Sequence, residues 1–178
     1  MKYKYFILPL LLAANAALRA SDCYRQIAKS WTSGSEFNSH DTDACTALLS
    51  LQMGDADFSI DSEALCARYV DNEGYHLSVR NYARALLGVV QKDLCSRVRN
   101  EEDAGRYARA ARHNFLVALA MARKSGAYKD SQVQMVKKSI DPRMKTRYHW
   151  LTEEITDAEV EQLFQDLINK PEMLKAKI

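Results

Sequence analysis

Between Leu77 and Val98, apolar side chains return every third or fourth position: Val79, Ala83, Leu86, Val90, Leu94 and Val98. A period near 3.6 sustained over six turns leaves an α-helix as the only regular structure that can bury them on one side. A second such run, from about Glu102 to Lys124, carries Ala104, Ala108, Ala111, Phe115, Ala118 or Leu119, and Ala122. Its alanines keep the stripe thin, so this helix should cross a neighbour at the near end of the usual 8–10 Å range. Two long helices in sequence, separated by a few residues, read as an antiparallel hairpin.

The rest of the chain continues in the same manner. Helices are expected over Asp22–Thr32, Thr42–Met53 (stopped by Gly54), Ser62–Val70, Tyr128–Ile140 and Arg143–Leu151. The segment Ser33–Ser39 and the triplet Asn72-Glu73-Gly74 read as loops. Thr156-Asp157-Ala158-Glu159 has the form of a capping box, and Val160, Leu163, Phe164 and Leu167 follow it as an apolar stripe. No alternating strand of useful length and no internal repeat occurs. Only six Gly and three Pro are available to make turns, too few for a sandwich or barrel. The expected fold is an all-α, irregular multi-helix bundle of one domain, residues 21–178.

The first twenty residues are expected to be an address. Lys2 and Lys4 precede an apolar run, Phe6–Leu12, and an alanine-rich stretch ending at Ala20; Ala14-Asn15-Ala16 has the small-x-small cleavage pattern, and cleavage after Ala20 would leave Ser21 as the first mature residue. The apolar part falls short of the ~20 residues a bilayer span needs, so a cleavable signal peptide is expected over 1–20. The protein is then periplasmic or secreted, without stable membrane insertion. Absence of an Asn-x-Ser/Thr sequon leans towards a bacterial periplasm.

All four cysteines, Cys23, Cys45, Cys66 and Cys95, follow that segment. An even number in an oxidising compartment implies two disulfides, and the absence of CxxC disfavours zinc or thioredoxin-type chemistry. If the second and third helices turn near residue 57, Cys45 and Cys66 lie at nearly one level, which leaves Cys23 for Cys95. The rival Cys66–Cys95 is displaced by roughly 20 Å on the same reasoning at 1.5 Å per residue. The bundle is therefore expected to be stapled by Cys23–Cys95 and Cys45–Cys66.

Charge is distributed in blocks. Ser21–Tyr75 has ten acids and three bases, His76–His149 sixteen bases and six acids, and Trp150–Ile178 seven acids and three bases. Without Lys2, Lys4 and Arg19, 22 basic residues stand against 23 acidic. That near-neutrality, with no reading motif, argues against nucleic acid as a partner. Within the basic block, Arg80 and Arg84 are one turn apart, and Arg106, Arg109 and Arg112 step down α-helical positions three apart, with Tyr82 and Tyr107 beside them. Arg and Tyr are favoured at protein interfaces. These seven are the candidate partner-binding residues.

Catalytic signatures are missing. His40, His76, His113 and His149 are scattered, and GxSxG, Walker and GxGxxG patterns do not occur. Asp55–Glu63 alternates oxygen side chains like half a calcium loop, but Ile60 and Cys66 stand where the loop needs Gly and Glu. No cofactor or metal is expected. The expected function is a non-enzymatic periplasmic binding protein, of the inhibitor or immunity type, that occludes a protein partner such as an envelope-targeted toxin or an envelope enzyme. The alternatives are an envelope hydrolase with a distributed carboxylate site, and a carrier of a small ligand or ion.

Overall fold

The computed structural model describes residues 22–30, 32–54, 58–125 and 156–169. The expected signal peptide and the expected helices over 128–140 and 143–151 lie outside them. Among the described residues there are six α-helices and no strand: α1 over 22–30, α2 Ser39–Met53, α3 Ile60–Val70, α4 Leu77–Arg97, α5 Glu101–Ser125 and α6 Asp157–Asn169. The fold is all-α. The chain divides into two compact units at Asp55–Ala56, inside a loop that sequence alone places within one bundle.

The first unit holds α1 and α2. An ion pair, Arg25–Asp43 at 3.2 Å, and a hydroxyl contact, Thr32–Thr42 at 2.7 Å, join them. Helix α2 begins three residues before the expected Thr42. Asn38 caps it, with Asp41 NH donating to Asn38 Oδ1 and Asn38 NH donating to the Asp41 carboxylate. This reciprocal box satisfies two of the amides a helix start leaves open.

The second unit is built around α4. Its neighbours α3 and α5 both run antiparallel to it. Three hydrogen bonds mark the α3–α4 register: Arg80 Nε to the Val70 carbonyl, Gln91 Nε2 to the Glu63 carboxylate, and the Arg97 guanidinium to the Phe58 carbonyl. Helix α5 follows a three-residue connection, capped by Asn100, whose Oδ1 accepts from Glu102 NH. Three acids in its first turn complement the helix dipole. Every residue from Asn81 to Gly88 is buried, so α4 is enclosed on all sides where the sequence indicates a single stripe. Close approach of α5 is as the alanines imply. A Cβ built on Gly88 falls 2.6 Å from the Phe115 ring.

Helix α6 starts as expected. Thr156 NH donates to the Glu159 carboxylate and Glu159 NH to the Thr156 hydroxyl, while Val160 and Leu167 pack with Val117 and Ala120 of α5.

The expected disulfides are not formed; none of the four cysteines is in a bridge. Each expected pair takes one cysteine from the first unit and one from the second, so the hairpin register used to match them does not apply. Cys23 is exposed, whereas Cys45, Cys66 and Cys95 are buried. The rejection of Cys66–Cys95 stands: with Glu63 level with Gln91, the two thiols lie on opposite sides of that rung, roughly 10 Å apart along the axes.

Two outcomes follow from this packing. Gly88→Ala should destabilise the second unit by about 1–3 kcal/mol despite the better helix propensity of alanine, because a fully buried ring has nowhere to move; Gly88→Ala with Phe115→Leu should recover much of it in urea unfolding. The Glu159 carboxyl is held below its usual value, first by the Thr156 amide and then by the Thr156 hydroxyl and Arg112. A lowered folded pKa gives stability present above the unfolded pKa and lost as pH falls through the folded one. Protection factors of the α6 amides, with the intrinsic pH dependence of exchange divided out, should therefore fall on acidification, and Thr156→Ala, costing about 0.5–2 kcal/mol, should flatten that dependence.

Candidate functional site

Four buried polar side chains cross the second unit in one hydrogen-bonded line. Gln91 Nε2 donates to Glu63 Oε1 at 2.8 Å, Asn114 Nδ2 donates to Gln91 Oε1 at 2.8 Å, and Arg84 Nη1 donates to Asn114 Oδ1 at 3.2 Å. Glu63 and Arg84 are 3% and 4% exposed, Gln91 and Asn114 not at all. The direction of the line is dictated by its ends. A carboxylate only accepts, so Gln91 must present its NH2 to Glu63 and its oxygen to Asn114. Asn114 in turn must present its oxygen to Arg84, which only donates. Opposite charges at the two ends cancel across α3, α4 and α5, which is how a buried carboxylate and a buried guanidinium are both tolerated.

The Arg84 end opens on a cleft. Val70 of α3, Leu77, Arg80, Asn81 and Arg84 of α4, and Met121 of α5 line a half-open space of about 50 Å³. Arg80 is half-buried, and the Val70 carbonyl that ends α3 fixes its Nε at 3.0 Å. Asn81 reaches the other way, its amide donating to the Ala118 carbonyl of α5 at 3.4 Å.

The residues anticipated as partner-binding are thus divided by the fold. Tyr82 and Tyr107, 1% and 5% exposed, are core side chains and not surface anchors, because α4 is enclosed and Tyr107 lies on the α5 side that faces it. Arg84 is interior for the same reason. Arg80 lines the cleft. Arg112 pairs with Glu159 of α6 at 3.0 Å, so here the basic block is neutralised by the acidic one that follows it. Arg106 and Arg109 are exposed; Arg106 lies 4.8 Å over the Tyr107 ring and 3.8 Å from Asp103.

Sequence reasoning missed Asn81, Gln91, Asn114 and Glu63. A signal existed: Asn81, Arg84, Gly88 and Gln91 follow one another at three- and four-residue steps, a polar and small stripe beside the apolar one. Within the half calcium loop, Ser59 and Ser62 cap α3 reciprocally and Glu63 turns inward to Gln91; Asp55 and Asp57 lie outside the described residues. Among the described residues no group of three or more His, Cys, Asp or Glu is placed to hold a metal ion. Cys66 is a closed thiol, its pKa pushed up to about 12 by burial and further by the Glu63 charge, the opposite of an activated nucleophile. No helix among the described residues is long and apolar enough to cross a membrane.

Comparison with family models, curated proteins and solved structures finds no match to this chain.

Gln91→Leu removes the side chain that, among the described residues, hydrogen-bonds Glu63, and takes from Asn114 the oxygen to which its Nδ2 donates. Breaking a buried line that ends in a charge should cost about 2–4 kcal/mol. Equilibrium unfolding measures it, and a cost under about 0.5 kcal/mol would show that the line carries little of the stability.

Proposed function

We propose that the chain is an exported, non-enzymatic binding protein that occludes a protein partner in the bacterial envelope, in the manner of an inhibitor or immunity protein. The observation that carries the reading is the exposed pair Arg106 and Arg109 on α5. Their helix is fixed on its other sides by the Gly88–Phe115 contact and by α6. A pre-ordered surface loses little entropy on association, and a guanidinium stacked on a buried tyrosine presents planar area together with donors.

Two further features support it. Among the described residues the two buried carboxylates have structural work: Asp41 closes the cap of α2 and Glu63 ends the amide line. A hydrolase would instead bring such groups together in a cleft. Export rests on Lys2, Lys4, the apolar run Phe6–Leu12 and the alanines up to Ala20.

Charge reversal, Arg106→Glu with Arg109→Glu, should abolish affinity capture of the partner from envelope extracts while leaving helicity and thermal unfolding nearly unchanged. The exposed Arg106–Asp103 pair is worth little to the fold. Capture undiminished by the double reversal would sink the reading. At the rim the loss appears as slower association, and at a desolvated contact as faster dissociation.

A further inference from the structure

We propose that the cleft at the head of α4 is a receptor for a carboxylate carried on a short aliphatic stem. Two guanidiniums line it, those of Arg80 and Arg84, and the lining includes no acid. Arg80 is pre-oriented because its Nε is tied to the end of α3. Among the described residues nothing else bonds to it, so its two terminal nitrogens keep their donors. A guanidinium edge with two parallel N–H groups matches a carboxylate in plane and spacing. Arg84 brings a second guanidinium to the lining, with its Nη1 held by Asn114.

Size and lining narrow the ligand. One water needs about 10–15 Å³ of such space, so the 50 Å³ here admits only three to five heavy atoms. A whole nucleotide or sugar does not fit inside it; a larger molecule can enter only by a small terminal group. Val70, Leu77 and Met121 supply the apolar part of the lining beside the arginines, which suits one or two methylenes better than the extra oxygens of an inorganic tetrahedral anion. The matching groups are acetate or propionate, and the side-chain tip of an Asp or Glu on another protein. The inference stands apart from the α5 surface and does not need it.

The test is an NMR titration of the full chain with sodium propionate, following the Arg80 Nε–H, the Leu77 amide and the Met121 methyl. Saturable shifts are expected with a dissociation constant on the order of millimolar, suited to so few atoms. Propionamide, the same shape without charge, should give none, and sodium sulfate should bind at least tenfold more weakly. Arg80→Gln should weaken propionate at least tenfold. Should that variant fail to fold, Leu77→Trp, which plugs the mouth and keeps both charges, should remove the shifts. Equal shifts from propionamide, equal affinity for sulfate, or binding that survives either substitution in folded protein would overturn the assignment, as would no response to propionate. A blocked glutamate, N-acetyl with N-methylamide, identifies the source: tighter binding than propionate assigns the cleft to a protein side chain, weaker binding to a free small acid.

Discussion

The second unit depends on one line of hydrogen bonds, Glu63–Gln91–Asn114–Arg84, in which each donor and acceptor is decided by the next. Apolar packing between alanine-rich helices is tolerant of sliding, since small side chains offer few knobs. A directed polar line is not. Shifting α5 by one turn against α4 would remove Asn114 from both neighbours and break two of the three bonds of the line. Register between three helices is thus set by polar groups while the mass of the core comes from Leu, Val and Ala.

That division of labour explains why the surface arginines and the interior arginines behave so differently although they belong to one basic block. On α4, enclosure forces every charge to find a partner: Arg84 takes Asn114, and Arg80 takes a helix-terminal carbonyl and stays at the edge of a cleft. On α5 the outward side has no such requirement, so Arg106 and Arg109 remain available to solvent or to another molecule. Position around the helix, more than residue type, decides which arginine is structural.

Much of the fold was legible. The ends of α4 and α5 fall within a residue or so of those expected from periodicity, and the Thr156–Glu159 box and the Val160–Leu167 stripe form as written. These are local signals, decided by 3.6-residue spacing and by caps. The site was far less legible. The pattern of α4 shows a single apolar stripe and so points Arg84 and Tyr82 to the surface, whereas Asn81, Gly88 and Gln91 form a second, polar and small stripe that is also buried. Polar residues on a buried face look in sequence like an exposed face; only their partners on other helices separate the two cases. The cysteines failed for a similar reason, since pairing depends on how two units are arranged and not on the register of one hairpin.

The amide line has a consequence for how this sequence can drift. Gln91 and Asn114 are relays whose orientation is dictated from the ends, so neither stores information by itself; turning both amides over would run the same line in reverse. Any change at one terminus therefore propagates as a demand on the other. Glu63 cannot become a donor unless position 84 becomes an acceptor, and a substitution at either relay strands the groups on both sides. The four positions are coupled, so a tolerated change at one calls for a matching change at another, while an apolar neighbour answers only to the volume it fills.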